Sequence, residues 1–82
     1  MATVKLFFTP GCPYCRMARD FLGDEGIAFE ALDVSNDDGS AREMIEKSGQ
    51  VGIPVLEVDN TIVVGFNRGA YKRALSDSGV LS

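Results

Sequence analysis

The 82-residue chain contains no histidine, only two cysteines and only three prolines. Without histidine, imidazole cannot serve as a general base or a metal ligand within this chain. Two cysteines leave room for a single disulfide ring. Positive charge is also in short supply: eight Lys and Arg face twelve Asp and Glu, for a net charge of −4 and a pI near 4.5. That balance argues against nucleic acid and against anionic membranes, both of which select basic patches. No apolar run approaches the length of a transmembrane helix. The first residues lack the basic region, apolar run and small-residue cleavage site of a signal peptide. The expectation is a monomeric cytoplasmic protein with no membrane and no nucleic-acid partner. In a reducing compartment a close cysteine pair is more often catalytic, redox-sensing or metal-binding than structural.

The length predicts one domain over residues 1–82, with a modest core and no elaborate pocket. A composition of 45% hydrophobic and 24% charged residues is ordinary for a globular chain. Both cysteines fall in one motif, Cys12-Pro13-Tyr14-Cys15. The apolar run before it, residues 3–8, reads as a strand. Thr9-Pro10-Gly11 breaks that strand. From Pro13 onward, Tyr14, Met17, Ala18, Phe21 and Leu22 form the stripe of an amphipathic helix. Pro13 suits the first helical turn, where its missing N–H costs nothing. Gly23 or Gly26 ends the helix.

Further along, residues 27–34 read as a second strand and residues 35–40 as a loop rich in capping residues. A second helix carries Ala41, Met44, Ile45 and Ser48 on one face and stops at Gly49. Gly52-Ile53-Pro54 is a break. Residues 55–58 and 61–64 read as two strands joined by the two-residue turn Asp59-Asn60. Asn67 can cap a third helix running to Leu75 or Ser76, and residues 77–82 read as a loosely held tail. The order is β-α-β-α-β-β-α, an α/β chain.

A Cys-x-x-Cys at a strand-to-helix junction is a redox signature. Thiol–disulfide exchange needs a thiolate. Unpaired N–H groups and the helix dipole favour negative charge at the head of a helix. Thiols so placed in such motifs ionise with pKa values of about 3.5–7.5. Cys12 is therefore the expected attacking thiol, and Cys15, inside the helix, the resolving one. Pro13 and Tyr14 shape the surroundings of the sulfurs, Tyr14 either flanking substrate or filling the edge of the core. Arg16 adds positive charge nearby or is a solvated helix residue.

Taken together, Lys5-Leu6-Phe7-Phe8-Thr9, Cys12-Pro13-Tyr14-Cys15, Gly52-Ile53-Pro54-Val55, the hairpin and the last helix make the chain resemble glutaredoxins and glutaredoxin-like small redoxins of the thioredoxin fold. The resemblance implies a four-stranded mixed sheet flanked by three helices and a dithiol thiol–disulfide oxidoreductase. It implies a cis bond before Pro54 and a backbone contact from Ile53 to the cysteinyl part of a bound thiol peptide. Protein or mixed disulfides would be the substrates. No bound cofactor is implied, and the reductant would be glutathione or a donor of the thioredoxin-reductase type. Glutathione-binding members often carry lysine where this chain has Thr9. They also have a Gly-Gly and Asp stretch where this chain has Val64-Gly65-Phe66-Asn67-Arg68. That stretch is more similar to redoxins serving ribonucleotide reductase. Thr9, Gly65, Phe66, Asn67 and Arg68 are the implied glutathione or substrate contacts. The alternative is a glutathione-bridged iron–sulfur or metal-binding module, for which two thiols fall short of the usual four ligands. A non-catalytic interaction domain would be suggested by a missing cysteine, and both are present.

Overall fold

A short run of β-branched and aromatic residues forms β1, Val4–Phe8, in a computed structural model that describes residues 3–81. The other elements are α1 (Pro13–Asp24), β2 (Glu30–Asp33), α2 (Asp38–Ser48), β3 (Val55–Val58), β4 (Thr61–Val64) and α3 (Arg68–Asp77). This is the element order the sequence predicts.

Several boundaries differ, each for a local reason. The second strand begins at Glu30 rather than at Ile27. The Ile27 N–H donates to the Leu22 carbonyl and that of Gly26 to Gly23, closing α1 with a Schellman motif. Gly26 supplies the left-handed residue the motif needs, with φ +70°. Ile27 is thus an apolar plug after a helix, buried at 7% exposure. The second helix starts at Asp38 instead of Ala41 because Asp37 caps it, accepting from the Gly39 N–H at 3.1 Å and the Ser40 hydroxyl at 2.7 Å. Ile45, expected on the inner face of that helix, is exposed, while Ser40 and Met44 are buried. The expected loose tail is folded back through residue 81. The N–H groups of Val80 and Leu81 donate to the Leu75 carbonyl, and both side chains pack on the core. Ser82 lies outside the described residues.

The strands form one mixed sheet in the order β2-β1-β3-β4. β1 runs parallel to β2 and antiparallel to β3, and β3 is antiparallel to β4. Alternation along the strands divides the core in two. Val4, Leu6, Leu56 and Val58 pack with Ala18, Phe21 and Leu22 of α1 and with Tyr71, Ala74 and Leu75 of α3. Phe7 and Val55 pack with Met44 of α2 on the opposite face. Lys5 and Glu57 stand opposite each other on β1 and β3. Glu43 and Lys47 of α2 close an ion-pair chain with them: Lys5–Glu43 at 2.9 Å, Lys47–Glu43 at 2.7 Å and Lys47–Glu57 at 2.9 Å. Those charges orient α2 on its side of the sheet.

The register sets what meets at the site. Phe7 lies opposite Val55, and Val55 opposite Val64. The segments that follow Phe8, precede Val55 and follow Val64 therefore emerge at the same end of the sheet. The Gly65 N–H donates to the Pro54 carbonyl at 2.7 Å, joining two of them.

Candidate active site

Gly11 adopts φ +89° and turns the chain from β1 into α1. Cys12 follows as the N-cap, with extended backbone (φ −91°, ψ 116°), and Pro13 occupies the first turn. The Cys12 carbonyl accepts from the Arg16 N–H at 3.1 Å. Its Sγ accepts from the Cys15 N–H at 3.3 Å, so a sulfur takes the place that a Ser or Asp oxygen usually fills at a helix N-cap. Both cysteines are free thiols. Cys12 is half-buried, and Cys15 is buried at 1% exposure.

The two sulfurs thus meet different surroundings. Burial, followed by a hydrogen bond to Cys12, pushes the Cys15 thiol up to about 11, with the Thr9 backbone pulling it partly back. Cys15 holds its proton at neutral pH while Cys12 is the sulfur that solvent and other molecules reach.

A cleft of about 660 Å³ opens beside Cys12, lined by Phe8, Thr9, Pro13, Arg16, Met17 and Arg19 among others. Tyr14 and Met17, placed by the periodicity on the apolar stripe of α1, point outward at 62% and 47% exposure. The buried face is Cys15, Ala18, Phe21 and Leu22. Cys15 takes the inward position of the first turn, which leaves Tyr14 on the exposed side of α1.

The second sequence-predicted group stands at the same end of the sheet but does not line this cleft. The Ile53–Pro54 peptide is cis, as the resemblance implies. Pro54 is fully buried, and Ile53 is half-buried against the Phe7–Met44–Val55 cluster. Gly65 takes φ +83°, a conformation that favours glycine. Phe66 packs edge-on against Phe21 and Tyr71 at 6.1 and 5.2 Å. The Asn67 side chain is engaged in capping α3, accepting from the Ala70 N–H at 2.9 Å. The Arg68 guanidinium stands over the Phe21 ring at 5.6 Å.

Three supporting residues escape a reading of the sequence. Tyr71, buried on the inner face of α3, donates its hydroxyl to the Gly65 carbonyl at 2.7 Å. Arg19 stands over the Phe8 ring at 5.0 Å and walls the cleft. Gln50 braces the turn before Ile53, accepting from the Gly52 N–H and donating Nε2 to the Gly52 carbonyl at 3.0 Å. A polar tip at a core-spaced position was the one available signal for Tyr71; the others carried none.

Among the described residues no three His, Cys, Asp or Glu side chains gather where a metal ion could sit. Cys12 and Cys15 alone leave a tetrahedral site two ligands short. No helix among the described residues is long and apolar enough to cross a membrane.

A family model described as Glutaredoxin matches residues 4–63. An uncharacterized glutaredoxin-like 8.6 kDa protein in the rubredoxin operon of Clostridium pasteurianum is 37% identical over 72 residues, spanning 88% of this chain and 96% of that protein. Glutaredoxin 3 of Escherichia coli strain K12 is 32% identical over 59 residues, spanning 72% of this chain and 71% of that protein. The crystal structure of the glutaredoxin grx-1 from Archaeoglobus fulgidus superposes with a TM-score of 0.82 at 25% identity, covering 92% of this chain and 87% of that one. The matched span runs from the strand that leads into the cysteine pair to the hairpin beyond the cis proline, and by it the chain belongs to the glutaredoxin family.

Proposed function

We propose that this chain is a dithiol oxidoreductase that reduces protein or mixed disulfides through Cys12 and Cys15. The observation that carries the reading is the asymmetry of the pair: Cys12 is reachable, at the head of α1, and accepts a backbone hydrogen bond. Cys15 is buried behind it and keeps its proton. The Cys12 thiolate attacks one sulfur of a substrate disulfide; that S–S bond breaks, the distal sulfur leaves as a thiolate, and a mixed disulfide forms. Cys15 then gives up its proton and attacks the Cys12 sulfur. The mixed disulfide breaks, the second substrate thiol leaves, and the Cys12–Cys15 ring holds the oxidation. Two electrons and the Cys15 proton have moved to the substrate, the distal thiolate takes its proton from water, and a thiol donor returns the pair to its reduced form.

In this reading Pro13 and Tyr14 flank the attacked disulfide, and the backbone of Ile53 beside Pro54 pairs with the substrate's cysteine. Thr9, Gly65, Phe66, Asn67 and Arg68 stand as contacts for glutathione or substrate. The first N–H groups of α3 suit a carboxylate, since the head of a helix favours negative charge. Glutathione or a donor of the thioredoxin-reductase type supplies the electrons. A coupled NADPH assay comparing glutathione plus glutathione reductase with thioredoxin reductase distinguishes the two.

Cysteine replacement tests the mechanism. Cys12→Ser abolishes reduction of insulin or of a mixed disulfide, and Cys15→Ser accumulates a mixed disulfide that non-reducing mass spectrometry detects. Unchanged turnover of protein disulfides by Cys15→Ser contradicts the dithiol mechanism.

A further inference from the structure

The cleft beside Cys12 is walled by α1 and the turn that leads into it, and neither Ile53, Pro54 nor any of residues 65–68 lines it. A second hollow of about 420 Å³ shares Arg16 and Arg19 with it and adds Asp20 and Phe29. The two form one groove along α1, starting at Cys12, with half-buried Phe8 and Phe29 supplying apolar surface. Arg16 and Arg19 are exposed, and among the described residues neither has a carboxylate within ion-pair distance; the ion pairs use Lys5 and Lys47. Asp20 is the one carboxylate on the groove wall. Seated over the Phe8 ring, the Arg19 guanidinium keeps its N–H edges free, the geometry that takes a carboxylate in a paired hydrogen bond. On a chain of net charge −4, a groove that begins at the reactive sulfur and is walled by two unpaired arginines is a local reversal of sign.

We propose that this groove docks an extended acidic segment adjoining the disulfide cysteine of a partner protein. The proposal rests on the reading that Cys12 attacks that disulfide. Helical spacing fixes where the acidic residues fall. Arg16 and Arg19 stand roughly 6 and 10 Å beyond Cys12 along the axis, at about 1.5 Å per residue. An extended chain advances about 3.3 Å per residue. The partner's carboxylates therefore lie about two and three residues from its cysteine. Opposite charges at this spacing select partners and speed their encounter, an effect that salt screens.

Two synthetic peptides test this, identical except for Glu or Lys at the second and third positions on either side of a central serine that replaces the partner's cysteine. Each is titrated at low salt into the full, ¹⁵N-labelled chain while backbone amide shifts are followed. The Glu peptide shifts the amides of Phe8, Arg16, Arg19 and Phe29; the Lys peptide leaves them in place. Added salt and the Arg16→Glu/Arg19→Glu variant remove the effect. The Arg42→Glu/Arg73→Glu variant, with the same change in net charge, retains it. Shifts concentrated around Arg68 and Lys72, equal responses to both peptides, or no response at millimolar peptide overturn the proposal. No thiol takes part in this titration, so its outcome is independent of the cysteine-replacement assay.

Discussion

The buried hydroxyl of Tyr71 donates to the Gly65 carbonyl at 2.7 Å, and the Gly65 N–H donates in turn to the Pro54 carbonyl. The third helix thereby holds the turn after β4 against the cis-proline segment. Tyr71→Phe keeps the edge-on packing against Phe21 and Phe66 and removes only the oxygen. The expected loss of stability is about 1 kcal/mol, the ordinary worth of one hydrogen bond. Urea denaturation measures it, and an unchanged midpoint contradicts the role given to the hydroxyl.

The ion-pair chain between α2 and the sheet predicts an asymmetric mutational pattern. Glu57 lies on the central strand β3, its side chain only 10% exposed, and Lys47 is its partner. Lys47→Met strands that carboxylate and is expected to cost about 1–3 kcal/mol. Adding Glu57→Leu removes the buried charge as well and recovers part of the loss, because a hydrophobic pair needs no desolvation of ions. Chemical denaturation of the single and double variants decides it; equal stabilities contradict the assignment.

The pH dependence has a sign on each side of neutrality. Hydrogen bonds from the Ser35 hydroxyl to Asp33, from the Ser40 hydroxyl to Asp37 and from Lys47 to Glu43 hold these carboxylates below their usual range. In acid the unfolded chain binds more protons, so their contribution is full above about pH 4 and is lost as pH falls through the folded values. In alkali the order reverses. Burial raises Cys15 to about 11 and raises Tyr71 as well. The unfolded chain then binds fewer protons. Stability of the reduced protein is full below about pH 8.5 and falls as pH rises toward the folded value. Denaturation midpoints across that range give a plateau with two descending arms, and a flat profile contradicts the assigned shifts.

Much of this arrangement was legible in the residues. Cys12, Pro13 and Gly11 marked the strand-to-helix turn, and Asp59-Asn60 marked the hairpin, because local backbone chemistry decides such points. What escaped was decided by competition between neighbours. Ile27 has strand character, yet it serves as the apolar residue after a Schellman turn. Tyr14 fits a helical stripe, but Cys15 occupies the inward position beside it. Val80 and Leu81 looked like a free tail because the carbonyl that holds them belongs to Leu75. Arg19 and Tyr71 carried no motif; their roles arise from the rings and carbonyl that the fold brings to them.

The most direct measurement of the central claim is alkylation of the reduced, folded chain by iodoacetamide, with peptide mass spectrometry counting each cysteine as pH is raised. The account predicts that Cys12 is modified first throughout the neutral range, with Cys15 unmodified until the pH nears 11 or the chain unfolds. Equal labelling of both sulfurs at neutral pH, or Cys15 first, would contradict the division of roles between them.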